Sequence, residues 1–212
     1  MASSPTDRKR TRSDGERSRR AILDAATRLA TLEGLEGLSI GRLAREIGMS
    51  KSGLFAHFGS KQDLQLATIA AAEEVMGVEV VGPGLEAPEG LPRLRLLCEG
   101  YLSYVERDVF PGGCFFVSAA TEWDTRVGPV RDRVVATYAG WMELFEANVR
   151  RAQEDGDLDA DLDPAQLTFE LVALLDQANS LYVLFRDPNR IEQGRKGLAD
   201  RLARAGARSE GR

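Results

Sequence analysis

Apolar residues recur with helical spacing along nearly the whole chain. Residues 1–15 (MASSPTDRKRTRSDG) have almost no apolar positions and are expected to form a disordered basic arm. From Glu16 onward, Ile22, Ala25, Ala26, Leu29 and Leu32 fall three or four apart, which predicts a helix that Gly34 and Gly37 end. Ser39 then reads as an N-cap, with Ile40, Leu43, Ala44 and Ile47 behind it and Gly48 as the stop. Ser50 caps a third short helix to about Phe58, with Leu54 and Phe58 four apart. Ser60 opens a fourth, from Lys61 to about Val81, with Leu64, Ala67, Ala71 and Val75 on one face. Residues 16–76 are therefore predicted to be one small helical domain.

Residues 82–92 (GPGLEAPEGLP) are rich in Gly and Pro and mark a boundary, which assigns 77–212 to a second domain. There, Leu91 to Val109 predicts a helix with Leu94, Leu97, Cys98, Tyr101, Leu102 and Val105 inward, broken by Pro111-Gly112-Gly113. Cys114 to Trp123 is a short apolar helix, and Pro129 suits the first position of a helix reaching about Glu154. The acidic stretch Glu154 to Asp163 is a loop. Pro164 opens a helix that ends before Asp187-Pro188, and a last amphipathic helix covers about Asn189 to Arg204. No segment alternates with period two, so the fold class is all-α.

Composition narrows the setting. Hydrophobic residues make up 43% and charged residues 29%, ordinary values for a globular protein. No apolar run approaches the roughly 18 residues of a membrane span, and residues 1–20 lack the apolar core of a secretory signal. Cys98 and Cys114 are the only cysteines, which suits a reducing compartment. A cytoplasmic protein without a membrane partner is the expectation. The net charge of −5 hides an asymmetry: residues 1–61 hold twelve Lys/Arg against seven Asp/Glu, net +5, and the remainder is −10. A basic module on an acidic body is the distribution expected of a phosphate-binding unit joined to a non-nucleic-acid unit.

The most informative stretch is residues 39–58, SIGRLAREIGMSKSGLFAHF, which has the pattern helix, glycine turn, helix of a helix-turn-helix. In such a unit the second helix enters the major groove of double-stranded DNA and its first residues face base edges. Lys51, Ser52 and Gly53 hold those positions: Lys51 donates to guanine or phosphate, Ser52 bonds several bases, and Gly53 admits close backbone approach. His57 and Lys61 flank the helix end, where donors meet phosphates. Ser39 caps the preceding helix, and Arg42 and Arg45 lie on its outer side, facing either phosphate or solvent. The basic run Arg8 to Arg20 is either a minor-groove arm or a solvated tail.

Residues 16–76 resemble the DNA-binding domain of the tetracycline-repressor (TetR) family, through ILDAATRLATLEGLEGLSI, LAREIGMS and GLFAHFGSKQDL. The resemblance implies an N-terminal three-helix helix-turn-helix DNA-binding domain and a C-terminal helical domain for ligand binding and dimerisation. It implies phosphate contacts at His57 and Lys61 and core positions at Leu43, Ala44, Ile47, Leu54 and Phe58. Phe55 stands where the family usually has Tyr, which leaves an apolar contact without a hydroxyl. By the same resemblance the last two helices of each subunit form a four-helix bundle with its partner.

The helix from Pro164 is apolar almost all round and must be covered on two sides, either by a second copy or within one subunit. Phe169, Val172, Leu175 and Leu181 are the expected homodimer contacts. Tyr101, Tyr104, Phe110, Phe115, Phe116, Trp123, Trp141 and Phe145 are either plain core or the lining of a cavity for a small-molecule effector. Glu122, Asn148 and Gln177 are its candidate polar anchors. Cys114, at a helix start, is either a reactive sensing thiol or a buried packing residue. An enzyme is disfavoured: there is one histidine, and no HExxH, GxSxG, phosphate loop or Cys/His cluster. The acidic run Asp155 to Asp163 lacks the turn glycine and closing glutamate of a calcium loop, with Thr168 at the latter position, so no metal is expected. A module that binds protein instead of DNA fits the charge split less well. The reading is a ligand-released repressor acting as a homodimer on a palindromic operator, with no cofactor.

Overall fold

Three serines organise the N-terminal part of the computed structural model, which describes the backbone of residues 5–206 and the side chains of residues 15–206. Ser39, Ser50 and Ser60 accept from the backbone N–H groups of Arg42 (3.2 Å), Gly53 (3.0 Å) and Asp63 (3.0 Å). They start α2 (Ile40–Glu46), α3 (Lys51–Phe58) and α4 (Lys61–Met76). Each cap satisfies a donor that the helix itself leaves unpaired, a contribution of about 1 kcal/mol. Gly34, Gly48 and Gly59 close the preceding helices at φ of +82°, +67° and +65°, where a side chain would be strained. With α1 (Pro5–Glu33), these helices enclose a core of Ile22, Ala26, Leu43, Leu54, Phe58 and Leu64.

Two expectations change here. The backbone of residues 5–15 is helical as part of α1, where composition predicts a disordered arm; residues 1–4 lie outside the described residues. Lys and Arg are good helix formers, and extending an existing helix costs far less than nucleating one. The side chains of Arg8, Lys9, Arg10 and Arg12 also lie outside the described residues, but Arg19 is visible and is not a free tail residue. It donates to the His57 carbonyl at 2.8 Å, and its guanidinium sits 4.5 Å from the centre of the Phe58 ring, tying α1 to the end of α3.

The second change is at Gly82-Pro83-Gly84, which does not end the helix. The helix begun at Lys61 widens into a π-turn (Gly77–Val81) and continues as α5 (Gly82–Glu86). Gly82 donates five residues back to the Gly77 carbonyl, and the wider turn makes room for Pro83, which has no N–H to give. Gly84 is pressed so closely onto Leu97 that a Cβ would overlap its side chain. One helical rod thus runs from Lys61 to Glu86 and joins the two regions without a break.

The remaining helices begin and end within a few residues of their predicted spans. They are α6 (Leu91–Glu106), α7 (Phe115–Trp123), α8 (Pro129–Glu154), α9 (Pro164–Phe185) and α10 (Asn189–Ala205). Among the described residues the only β feature is one bridge between Leu158 and Gly206, so the chain is all-α. α10 lays Ile191, Leu198 and Leu202 inward, and Gly194 brings it onto Ala178 of α9, where a Cβ would stand 2.7 Å from the alanine methyl. No helix among the described residues is long and apolar enough to cross a membrane.

Buried polar side chains join the pieces. Asn148 accepts from Gly90 N–H at 3.0 Å and Asn179 from Cys114 N–H at 2.8 Å. Glu122 of α7 accepts from the N–H groups of both Leu35 (2.7 Å) and Glu36 (2.9 Å), in the turn between α1 and α2. Beside it, Gly112 donates to Thr31 Oγ1 at 3.2 Å. Asn148 and Glu122, expected as ligand anchors, are thus fully occupied in holding backbone. The Glu122 pair is a direct strut between the N-terminal unit and the body.

Candidate nucleic-acid interface and cavity

α3 buries Leu54 and Phe58 and turns Lys51, Ser52, Phe55 and Ala56 to solvent. That division follows from helical spacing: 54 and 58 share one face, while 51, 52 and 55 share the other. The inner face satisfies the three-helix core, and nothing among the described residues covers the outer one. Phe55 is half-exposed (51%), which leaves a phenyl ring open on the outer face of α3. Lys51 folds its stem over Gly41, with no ion-pair partner among the described residues. Gly53 has a local reason to be glycine: a Cβ there would crowd the Ser50 cap oxygen at 3.0 Å. Ser52 lies 3.3 Å from Ser50 through the two hydroxyls.

The other predicted contacts are less free. Arg42 forks between Glu33 (2.8 Å) and Glu46 (2.7 Å), and Lys61 donates to Glu36 at 2.8 Å. Lys61 and Gln65 together hold the Glu36 carboxyl below the usual range, the Lys61 hydrogen bond having the largest effect. Such surface pairs are worth roughly 0–1 kcal/mol, so a phosphate competes with them easily. His57 is half-buried beside Phe58. Ser39 is occupied as the α2 cap.

The body holds a cavity of about 310 Å³ between the Lys61–Glu86 rod, α6, α7, α8 and α9. Of the eight aromatic residues expected to be core or cavity lining, Tyr101, Phe116 and Trp141 line it. Tyr104, Phe110, Phe115 and Phe145 are buried core that stacks behind these walls. Trp123 faces a separate shallow groove with Val134 and Val135. Gln177 points to solvent on the outer side of α9, so it is no anchor. A step of one residue decides this, because Asp176, its neighbour, lines the cavity.

The polar groups of the cavity were not among the predicted anchors. Tyr138 of α8 donates to the Asp176 carboxylate, and Asp176 is held above the usual carboxylate range because burial outweighs that hydrogen bond. Glu73 sits at another edge, bonded to Arg133 and Thr137. The Tyr101 hydroxyl is buried with only the weak Cys114 thiol beside it, and burial raises its pKa well above the ordinary value. Cys114 also lines the cavity. Burial raises its thiol pKa, which removes the lowered value on which a reactive thiol would depend. Asp176 is the one acidic residue between Leu171 and Phe185, the apolar part of α9, and that was its sequence signal.

The candidate dimer residues divide by face. Phe169 is exposed (61%) on an outer stripe of α9 that continues through Ala173, Gln177, Ser180 and Leu184. Leu181 is half-buried at its edge. Val172 and Leu175 are buried inside the same chain, so they cannot be interface contacts. A helix apolar all round does not disclose which face its own subunit takes.

The model described as "Bacterial regulatory proteins, tetR family" matches residues 22–68, and "Tetracyclin repressor-like, C-terminal domain" matches residues 90–198. The chain is 27% identical over 141 residues to the HTH-type transcriptional regulator LmrA of Bacillus subtilis, covering 63% of this chain and 72% of LmrA. A TetR transcriptional regulator from Chloroflexus aurantiacus shares its fold at a TM-score of 0.84 and 23% identity, over 93% of this chain and 100% of that one. AibR, solved in complex with isovaleryl coenzyme A and operator DNA, shares it at 0.68 and 23% identity, over 85% of this chain and 95% of AibR.

Proposed function

This chain belongs to the tetR family of bacterial regulatory proteins and is a DNA-binding transcriptional regulator, and from that premise we propose that it is a homodimeric repressor released from a palindromic operator by a small molecule. In this reading residues 16–76 bind DNA through the motif at 39–58, and residues 77–212 dimerise and bind ligand. The observation that carries it is the outer face of α3, where Lys51, Ser52 and Phe55 stand exposed at the end of a basic unit. Lys51 and Ser52 read base edges. Phe55 packs on sugar or a thymine methyl, and His57 and Lys61 hold phosphates. Arg42 aids the positioning only after leaving Glu33 or Glu46.

One such unit reads few base pairs, so two copies on half-sites about 34–36 Å apart supply the specificity. The exposed stripe of α9 from Phe169 to Leu184, with α10 beside it, is the surface that would pair them. Release follows if a ligand in the cavity favours a different separation of the two α3 helices. Two connections would carry the change: the rod from Lys61 to Glu86, whose π-turn borders the cavity at Gly77 and Val81, and the Glu122 strut to the α1–α2 turn. Near-complete reversal of occupancy requires about 5.5 kcal/mol of preference for one state. The ligand occupies a cytoplasmic protein in this scheme, and no cofactor or metal takes part.

Selection of bound duplexes from a random pool tests the proposal. Recovered sequences should share an inverted repeat with half-site centres about one helical turn apart. Recovery of single half-sites, or of no common sequence, would count against a dimeric operator-binding regulator.

A further inference from the structure

The cavity has a charge character that its apolar walls conceal. Its lining includes two carboxylates, Glu73 and Asp176, and no Lys, Arg or His. Glu73 is neutralised at the rim by Arg133. Asp176 is not: its carboxylate receives only the Tyr138 hydroxyl and has no cationic partner among the described residues. A carboxylate withdrawn from water without a counter-charge costs free energy in every molecule that folds. The Tyr101 hydroxyl, fully buried with only the weak Cys114 thiol beside it, lines the same space. A buried hydroxyl so poorly satisfied forfeits much of a hydrogen bond. Asp176 and Tyr101 come from α9 and α6 and line the same cavity. Trp141 and Tyr101 pack with ring centres 6.1 Å apart, which adds an aromatic wall to the same cavity.

These features share one explanation. We infer that the cavity binds a compact, largely apolar molecule carrying a protonated amine. The ammonium sits between the Asp176 carboxylate and the Tyr101 hydroxyl, and its apolar part lies among Trp141, Phe116, Leu144 and Met76. This rests on the reading of the cavity as the effector site and specifies what that effector is. An ammonium group offers donors only, so it satisfies the carboxylate and a Tyr101 lone pair together. Trp141 and the tyrosine rings add cation–π attraction. A carboxylate or phosphate ligand finds only like charge, and a neutral alcohol leaves Asp176 without its counter-ion.

Phenylbutylamine, phenylbutanol and phenylbutyrate share one apolar body and differ in the end group. Their binding to the purified full-length protein is followed by calorimetry and tryptophan fluorescence, with binding to the selected duplex measured in the same samples. The amine should bind about tenfold or more tighter than the alcohol, and the carboxylate weakest. Asp176→Asn, which keeps the shape and the Tyr138 contact, should erase the amine's advantage over the alcohol. Tyr101→Phe should lower amine affinity several-fold. Equal or tighter binding of the carboxylate, an amine preference that survives Asp176→Asn, or no binding of any probe would overturn the inference. If the duplex is still bound in those cases, only the ligand class has failed; if the duplex is not bound either, the regulator reading has failed with it.

Discussion

The N-terminal unit and the body solve the same problem, satisfying polar groups around an apolar core, over very different distances along the chain. In the unit, α2, α3 and α4 each start at a serine that caps an N–H three residues on, and α1, α2 and α3 each stop at a glycine. In the body the decisive polar contacts join residues far apart: Tyr138 with Asp176, Cys114 with Asn179, and Gly90 with Asn148. The unit is built from local rules and presents a fixed outer face. The body is assembled from five helices around a space, with buried polar groups left for something else to complete. A docking surface suits the first kind of construction, and a cavity that changes state with its contents suits the second.

The largest perturbation tests whether the two regions also melt separately. Phe58→Ala removes a buried ring from the unit, at a cost of about 3–5 kcal/mol. Both tryptophans, Trp123 and Trp141, lie in the body. Urea unfolding should therefore show helical circular dichroism falling before tryptophan fluorescence does. A single coincident transition would mean that the continuous rod from Lys61 to Glu86 welds both regions into one cooperative unit.

Next in size is the strut. Glu122→Ala leaves two backbone N–H groups without their acceptor, a loss of about 1–3 kcal/mol. Glu122→Gln keeps one acceptor oxygen and should lose less. If the strut couples cavity to DNA, Glu122→Ala should also reduce the change in DNA affinity that a cavity ligand produces. Unchanged coupling would leave the rod, with the Gly112–Thr31 hydrogen bond, to carry it.

These two comparisons show why the regions differed in legibility. Gly34, Ser39, Gly48, Ser50 and Ser60 were readable because caps and stops act within one turn. Gly82-Pro83-Gly84 misled because a π-turn, invisible to composition, absorbed the proline and carried the helix on. Val172 and Leu175 were assigned to an interface because an all-round apolar helix does not reveal which side its own subunit buries. Tyr104 and Phe145 read as cavity wall for a similar reason, since core and lining use the same residues and differ only in how helices meet. Arg19 was hidden in a basic run, and its role depends on a carbonyl 38 positions away.

A smaller effect belongs to the cap. Ser50→Ala should cost about 1 kcal/mol and fray the start of α3, weakening DNA binding more than ligand binding. Equal losses in both would blur the distinction between unit and body. The smallest effect is a pH slope. Asp176 in the folded chain keeps its proton to a higher pH than the unfolded chain does. Stability should therefore fall as pH rises from the ordinary value of 3.8 through the raised one. Subtracting the urea midpoints of Asp176→Asn from those of the parent across that window should isolate this decline. A flat difference would mean that the carboxylate is as well solvated in the fold as outside it.

The most direct measurement is the affinity of the purified protein for duplex DNA from beside its own gene, against scrambled duplex, across a salt series. Preferential binding is predicted to weaken steeply with salt, and to drop further in Lys51→Ala and His57→Ala with a shallower salt slope. Binding that shows no preference over scrambled DNA and is indifferent to Lys51 and His57 would contradict the assignment of α3 as the reading helix.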